Sequence, residues 1–238
     1  MSNNNEFIKK YNELDALIDE KFNRESDDSS IYFLINKYRR SKVTIEREYA
    51  NKLDSARKIR NLMIHETGII DELFQVSEEV IAFLDELIKY IKDPIIALDV
   101  LTPINKLIYA TKDSLVKDLI RKIVEEGVSN LPVLNSKNHV IGVFNSDVLL
   151  LLAIEGIKIN EETRIADIEK YLTLDKQLNL RFIFVTSGYE IDVLNDYFSY
   201  SKEKYEKRLP MIFVSENGKS DSPLIGVISP IDLIRKSR

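Results

Sequence analysis

The feature that most constrains the fold of this chain is the uneven distribution of glycine and proline between its two parts. Of the 238 residues, the first 92 contain one glycine, Gly68, and no proline, whereas the remainder contains six glycines and all six prolines. Both residue types interrupt regular structure, so long helices are expected in the first part and short alternating strands and helices in the second. The predicted fold class is α+β, with a helical bundle first.

Apolar residues in the first part recur at the spacing of a helix face. The pattern predicts four helices. One contains Phe7 and Ile18, and the next begins after an N-cap at Ser29 or Ser30. The third covers about 45–66 and stops near Gly68, and the fourth covers about 71–91.

Two stretches of the second part repeat each other. Leu131-Pro132 is followed by a short turn and Gly142-Val-Phe-Asn, and Leu209-Pro210 is followed by a longer turn and Gly226-Val-Ile-Ser. Each stretch predicts two strands and a helix, and a further strand and helix precede it. A repeat of about 80 residues that occurs twice indicates a tandem, pseudo-symmetric pair of βαββα units.

The second copy ends in a short polar motif, Ser229-Pro230-Ile231-Asp232. Serine before a helix, proline in its first turn and an acid at its third position make a well-capped helix that needs no ligand. The same two side chains also suit a nucleotide, because a hydroxyl can bind phosphate and a carboxylate can accept the hydroxyls of a ribose. Spacing alone leaves both interpretations open.

Across about 95–236, the repeated units resemble a tandem of cystathionine-β-synthase (CBS) motifs. The resemblance rests on the segment Gly226-Val-Ile-Ser-Pro-Ile-Asp, which fits every position of the family pattern. Leu209-Pro210 fits the Leu-Pro dipeptide that the family has in the strand before it. The resemblance implies an adenine nucleotide (AMP, ADP or ATP) in a cleft between the two motifs. Asp232 would then hold the ribose, Ser229 the ribose or a phosphate, and residues near Leu209 and Ile228 would line the base pocket.

The first copy departs from this pattern. Asn145 replaces the usual Ser or Thr, and Val148 replaces the usual Asp. Asp147 comes one residue early, which turns its carboxylate by about 100° on a helix. Because a valine side chain accepts no hydrogen bond, one occupied cleft is expected rather than two.

The third predicted helix contains Arg60-Asn61-Leu-Met-Ile-His65, in a stretch (37–60) with nine basic and three acidic residues. Asn61 and His65 are four residues apart and share a helical face. The simpler interpretation is a solvated helix with a histidine near its C-terminus. The spacing Arg, four residues, His also resembles the HEPN family (higher eukaryote and prokaryote nucleotide-binding domains).

That resemblance implies a metal-independent endoribonuclease that acts as a homodimer. A histidine titrates near neutral pH and can move the protons of RNA cleavage, which identifies His65 as the acid or base. Arg60 would stabilise the charge on the reacting phosphate, and Asn61 would bind a phosphate oxygen or orient His65.

Composition excludes several other functions. There is no cysteine, which excludes thiolate chemistry, and two histidines are too few for a histidine-rich metal centre. The formal net charge of −5 excludes a global basic field that would attract nucleic acid. Seven residues form the longest apolar run, and the N-terminus shows no signal peptide pattern. A cytoplasmic protein without a required metal is expected.

The expected organisation is a HEPN-like domain over 1–93 and a CBS pair over 94–238, with repeats of about 94–155 and 160–238. The expected function is adenine-nucleotide sensing that regulates RNA cleavage. The alternatives are a non-enzymatic, nucleotide-responsive adaptor or dimerisation protein, and regulation of a nucleotidyltransferase. The last is disfavoured because no glycine-rich phosphate loop is present.

Overall fold

The computed structural model describes residues 2–23, 30–40, 44–65, 74–199 and 206–236. Contacts divide the chain into two compact units, Met1–Pro94 and Ile95–Arg238. The first unit is helical, and the second combines two sheets with helices. The chain therefore has the α+β class and the order of parts that its glycine and proline distribution predicts.

The N-terminal unit contains the helices α1 (Asn3–Phe22), α2 (Ser30–Arg40), α3 (Thr44–His65) and α4 (Glu78–Lys92). α1 packs against α4, and α2 packs against α3. The apolar face of each helix supplies one shared core, as expected for amphipathic helices. Its fully buried large side chains include Phe7, Leu14, Ile18, Ile31, Leu34, Ile35, Leu53, Leu84 and Leu87.

Helix α4 begins later than the sequence pattern predicts. Residues 74–77 are not helical, and Ser77 has an extended backbone at the N-cap position. The buried side chain of Asn4 donates to the carbonyl of Phe74 (2.9 Å) and accepts from the amide of Val76 (3.0 Å). These contacts from α1 satisfy backbone hydrogen-bonding groups in the non-helical segment that precedes α4. The predicted start at Asp71 and the stop at Gly68 lie outside the described residues.

The first repeat of the C-terminal unit follows the predicted βαββα order. Its elements are β2 (Ala110–Thr111), α6 (Val116–Glu126), β3 (Asn130–Leu134), β4 (Val140–Asn145) and α7 (Ser146–Ile154). They are preceded by α5 (Ala97–Val100) and β1 (Thr102–Pro103). The strands β2, β3 and β4 form a three-stranded sheet in that order.

The second repeat has the same order, with β5 (Ile183–Val185), α8 (Ile191–Ser199), β6 (Ile212–Ser215), β7 (Leu224–Ile228) and α9 (Pro230–Lys236). Its sheet has four strands in the order β1-β7-β6-β5. The additional strand β1 comes from the segment that precedes the first repeat. The two repeats are therefore joined by exchange of chain segments as well as by packing.

This exchange is reciprocal. Residues 95–107, called the first arm, attach to the second repeat, where the amide of Ala97 donates to the carbonyl of Tyr189 (2.8 Å) and β1 pairs with β7. Residues 163–177, called the second arm, attach to the first repeat. There the amide of Ile165 donates to the carbonyl of Ser114 (3.0 Å), and the amide of Val143 donates to the carbonyl of Leu172 (2.9 Å).

The arms explain the glycine that each repeat carries in its last strand. A Cβ atom on Gly226 would lie 2.4 Å from the carbonyl oxygen of Thr102, and one on Gly142 would lie 2.5 Å from that of Leu172. Both distances are far below van der Waals contact, so neither position accepts a side chain without displacement of an arm.

The Leu-Pro dipeptides of the two repeats are not structurally equivalent. Gly142 lies opposite Val133 and Gly226 lies opposite Val214, which fixes the common register of the two hairpins. In this register Leu131-Pro132 belongs to β3, whereas Leu209-Pro210 precedes β6. The assignment of Leu209-Pro210 to the strand is thus corrected. The backbone of Arg208 hydrogen-bonds to the backbone of Asn179 and Arg181. These bonds hold the Leu209-Pro210 segment before the point where β6 begins to pair with β7.

An apolar cluster joins the two repeats. Its buried members are Leu134, Val140 and Val143 from the first repeat and Met211, Phe213, Leu224 and Val227 from the second. The ring of Phe213 lies 5.5 Å from that of Phe182 and 5.0 Å from that of Phe184, at distances typical of favourable aromatic pairs. Within the described part of the chain, no helix is long and apolar enough to cross a membrane.

Candidate functional site

The polar motif of the second repeat lies at the start of α9. The Oδ2 atom of Asp232 accepts from the backbone amide of Ser229 (2.7 Å) and from its hydroxyl (2.6 Å). Both residues are half-buried. The carboxylate thus caps an amide at the beginning of the helix, as one of the two sequence interpretations predicts. Among the described residues, no group donates to Oδ1 of Asp232.

The other predicted site residues of this repeat are buried. Ile228 is fully buried and Leu209 is 7% exposed, and both belong to the apolar core of the second repeat. Gly226 lies within β7 between β1 and β6, where its role is to admit Thr102. The structure brings Ser229 and Asp232 into contact and places Leu209 and Ile228 in the supporting core.

The corresponding place in the first repeat is filled by three amide side chains, here called the amide triad: Asn130, Asn145 and Gln177. Asn145 is the N-cap of α7 and accepts from the amide of Val148 (3.1 Å). Its Nδ2 atom donates to Gln177 Oε1 (2.8 Å) and to Asn130 Oδ1 (3.3 Å). Asn145 and Gln177 are each only 2% exposed.

Gln177 also fixes the second arm. Its Nε2 atom donates to the carbonyl oxygens of Val143 (3.0 Å) and Leu172 (3.1 Å), which belong to β4 and to the second arm. Sequence reasoning missed Gln177, because two of its three partners, Asn145 and Val143, are 32 and 34 residues away and no local pattern marks it. It also missed Asn130, which only the register of β3 and β4 places opposite Asn145.

The two places are equivalent by position in their repeats. Asn145 and Ser229 each follow the last-strand glycine by three residues, and Val148 and Asp232 follow it by six. We call the space bounded by the start of α7, β3 and the second arm the first crevice. The space bounded by the start of α9, β6 and the first arm is the second crevice.

Comparison with known protein families gives a match to one of the two repeats and the arm that precedes it. Residues 96–153 match the family model of the CBS domain. Because β5 to α9 repeat the elements of that match, the C-terminal unit has the fold of a CBS pair.

Solved structures similar to the chain also contain CBS domains. CBSX2 in complex with AMP is 21% identical, with a TM-score of 0.42, and the match covers 60% of this chain and 95% of that chain. The CBS domain pair of protein MJ0100, in complex with 5′-methylthioadenosine and S-adenosyl-L-methionine, is 15% identical, with a TM-score of 0.41 and coverages of 60% and 94%.

The CBS domains of a transcriptional regulator from Streptococcus pneumoniae are 19% identical, with a TM-score of 0.41, and the match covers 60% of this chain and all of that one. A search of curated proteins finds no match to the chain. The family match lies within the CBS pair, so the HEPN resemblance of the N-terminal unit stays a prediction.

The predicted catalytic residues of the N-terminal unit lie in the last turns of α3. Nη1 of Arg60 lies 3.5 Å from Oδ1 of Asn61, and its guanidinium carbon is 5.8 Å from the ring centroid of Tyr11. The Nε atom of Arg60 is buried and has no hydrogen-bond partner among the described residues. The backbone of His65 ends α3, and its side chain lies outside the described residues.

Part of the basic stretch of this unit is neutralised internally. Asp54 forms ion pairs with Arg57 (2.9 Å), Lys58 (3.1 Å) and Arg39 (3.2 Å). The pKa of the Asp54 carboxyl is lowered, and the largest cause is the hydrogen bond from Arg57. The hydrogen bond from Lys58 is the next largest cause that lowers it. Arg39, Arg57 and Lys58 are therefore organised around one carboxylate.

A groove of about 240 Å³ lies between α3 and α4. Its floor is mostly apolar, and the ammonium of Lys52 lies 5.3 Å from the ring centroid of Phe83. In the described residues, no group of three or more histidine and acidic side chains is arranged to hold a metal ion.

Proposed function

We propose that the CBS pair binds an adenine nucleotide in the second crevice, with Asp232 as the ribose ligand and Ser229 as a ribose or phosphate ligand. The observation that carries the proposal is the Ser229–Asp232 contact, which places a hydroxyl and a carboxylate together at a half-buried helix start. The sequence pattern that contains both residues is the one that links this repeat to nucleotide-binding CBS motifs. Leu209 and Ile228, which are buried in the core of the same repeat, would line the base pocket, as the resemblance implies.

The chemistry of the pair suits a nucleoside. A carboxylate accepts hydrogen bonds from two vicinal hydroxyls, and hydrogen bonds to a charged group are about twice as strong as neutral ones. Because no described group donates to Oδ1 of Asp232, this atom can accept from a first hydroxyl without disturbance of the helix cap. A second ribose hydroxyl can replace the Ser229 hydroxyl at Oδ2, which releases that hydroxyl to donate to a phosphate oxygen.

Isothermal titration calorimetry of the full chain with AMP, ADP, ATP and S-adenosyl-L-methionine tests the proposal. We expect at least one of these adenosine compounds to bind, and Asp232→Asn to weaken that binding by about tenfold or more, as the loss of a charge-assisted hydrogen bond predicts. Asp147→Asn is the matched control, because Asp147 is the displaced carboxylate of the first repeat. Equal affinities in wild type and Asp232→Asn exclude the assigned role.

We propose metal-independent RNA cleavage by the N-terminal unit as a second function, regulated by the nucleotide. Its support is Arg60, whose Nε atom is buried and unpaired among the described residues, five residues before His65 on α3. The guanidinium of an arginine is a rigid, permanently charged set of donors that suits the oxygens of a phosphate, and the unpaired Nε marks a side chain that its described contacts do not fully use. Asn61, adjacent to Arg60, would bind a second oxygen or orient His65.

Cleavage of single-stranded RNA in the presence of a chelator tests the second function, with and without AMP and ATP. We expect His65→Ala and Arg60→Gln to lose about a hundredfold or more in rate. Lys58→Gln is the control, because Lys58 is exposed on the same helix and pairs with Asp54. Cleavage that survives in His65→Ala removes His65 from the mechanism. Nucleotide binding without any cleavage favours the non-enzymatic adaptor.

We also propose that the chain forms a homodimer. Helix α7 is apolar on nearly all sides, and its residues Leu150 and Ile154 are 60% and 76% exposed. A helix of this kind is usually covered on every face. Light scattering after gel filtration should give a mass near twice 27.6 kDa, and Leu150→Lys should shift it towards the monomer. A monomeric wild-type chain contradicts the proposal.

A further inference from the structure

We infer that Gln177 determines which of the two crevices can take a ligand, because its side chain closes the first crevice from within. The amide triad occupies the place that corresponds to the Ser229–Asp232 contact of the second repeat. The chain therefore fills the first crevice with its own buried amides, whereas the matching positions of the second crevice hold the apolar side chains of Leu107 and Met211.

The hydrogen-bonding capacity of Gln177 is used in this arrangement. Both kinds of atom in its amide are engaged: Nε2 donates to Val143 and Leu172, and Oε1 accepts from Asn145. Asn145 in turn caps α7 through Val148. Since both side chains are 2% exposed, a ligand that entered would have to break buried hydrogen bonds and leave several groups without partners.

The second crevice has different residues at the matching positions. Gln177 directly follows the short 3-10 helix Leu174–Lys176 of the second arm, and Leu107 directly follows the short 3-10 helix Ile104–Lys106 of the first arm. Asn130 lies opposite Asn145, and Met211 precedes Ile212, the partner of Ile228, by one residue. The amides of the first crevice thus correspond to Leu107 and Met211.

This difference explains the distinct hydrogen bonding of the two caps. Neither Leu107 nor Met211 has a side-chain donor or a strong acceptor, so neither can bind the hydroxyl of Ser229 as Gln177 binds Asn145. The Ser229 hydroxyl turns to Asp232 instead. The polar groups of the second crevice are bonded to each other, and a ligand can exchange with them without breaking a buried network.

The part of this inference that concerns ligand selection rests on the proposed nucleotide site, whereas closure of the first crevice is testable without a ligand. NMR spectroscopy of the full-length chain can follow the side-chain amide protons of Asn145 and Gln177. We expect their exchange with solvent to be at least about tenfold slower than that of the exposed Asn105, because both are buried and hydrogen-bonded. Exchange as fast as that of Asn105 overturns the inference.

Titration of the same sample with AMP tests the selection between crevices. We expect saturable shifts at Ser229 and Asp232, none at Asn145 or Gln177, and one bound AMP per chain by native mass spectrometry. Saturable shifts at Asn145 and Gln177, or two AMP per chain, overturn the inference and leave the proposed nucleotide site standing. Shifts at neither crevice refute the nucleotide site, and the amide exchange then still decides whether the first crevice is closed.

Two variants separate closure from general stability. Gln177→Leu gives the second arm the residue type that Leu107 provides at the matching position of the first arm. We expect it to speed solvent exchange of the Asn145 side-chain amide by about tenfold and to leave AMP affinity at the second crevice unchanged. Gln75→Leu, at an exposed glutamine of the N-terminal unit, should alter neither. If Gln177→Leu leaves Asn145 as protected as before, Gln177 is not the residue that closes the crevice.

Discussion

The carboxylate of Asp232 accepts two hydrogen bonds from the same residue, Ser229, at 2.7 Å from its amide and 2.6 Å from its hydroxyl. The first bond caps a helix, and the second holds a hydroxyl that has no other described partner. The contact therefore serves stability in the free chain and supplies both ligand groups of the proposed site. In the proposed complex, the Ser229 hydroxyl and a ribose hydroxyl compete for Oδ2, whereas the backbone cap is kept.

Substitution of Ser229 should separate these two roles. Ser229→Ala keeps the backbone bond to Asp232, so we expect a loss of only about 0.5 kcal/mol in the free energy of unfolding, whereas Asp232→Ala should lose about 1 kcal/mol through the cap. Asp232→Ala should also weaken AMP binding more than Ser229→Ala. Chemical denaturation and calorimetry measure the two effects, and an identical pattern in both variants contradicts the division of roles.

The glycines beneath the two arms should resist substitution. Gly226→Ala and Gly142→Ala place a Cβ within 2.4 and 2.5 Å of a carbonyl oxygen, so we expect each to lose about 1–3 kcal/mol in the free energy of unfolding. Gly188→Ala is the matched control, because its Cβ meets nothing within 4 Å. Urea denaturation measures all three. Unchanged stability in Gly226→Ala would show that the first arm does not lie tightly against β7.

Asn4 should be important for the N-terminal unit despite its place near the chain terminus. Asn4→Ala removes both bonds to the backbone of residues 74–76 and leaves buried groups unpaired, so we expect a loss of about 1–3 kcal/mol. Asn5→Ala, at an exposed position on the same helix, should change stability by less than about 0.5 kcal/mol. Thermal or chemical unfolding of both variants distinguishes them, and similar losses in the two contradict the assigned role.

The acid stability of the N-terminal unit should depend on Asp54. The pKa of its carboxyl is lowered from an ordinary value of 3.8, chiefly by the hydrogen bond from Arg57. The carboxyl therefore stabilises the fold above that ordinary value, and its contribution is lost as the pH falls through the lowered pKa. Unfolding measured between about pH 2 and 7 should show wild type more stable than Asp54→Asn at neutral pH, with the difference vanishing in acid.

Asp93→Asn is the control for this pH dependence, since Asp93 is exposed at the end of α4. Its difference from wild type should not vary with pH as that of Asp54→Asn does. A constant difference between wild type and Asp54→Asn down to the lowest pH would show that the three cations do not stabilise the charged carboxylate.

Local sequence patterns predicted much of the secondary structure. The apolar stripes through Phe7, Leu53 and Leu87 fixed the helices, because burial of one face is a property of spacing along a single element. The helix cap at Ser229 and Asp232 was also predicted, since a cap involves residues only three apart. The same holds for the departure of Asn145 and Val148 from the pattern of the second repeat.

Contacts between distant segments were not predicted. The late start of α4 depends on Asn4, more than 70 residues earlier, and the register that separates Leu209 from Leu131 depends on pairing across each hairpin. The side chain of Gln177 joins the second arm to β4. No periodicity marks such contacts, because each depends on where the chain returns in space.

The sequence by itself determined the class of the fold, the two repeats and the polar motif of the second, because propensity, spacing and capping act over a few neighbouring residues. Only the tertiary structure decided that the arms cross between repeats and that Gln177 fills one crevice while Leu107 borders the other. The reason is physical: a buried polar side chain must find its hydrogen-bond partners in the folded chain, whatever their distance in sequence.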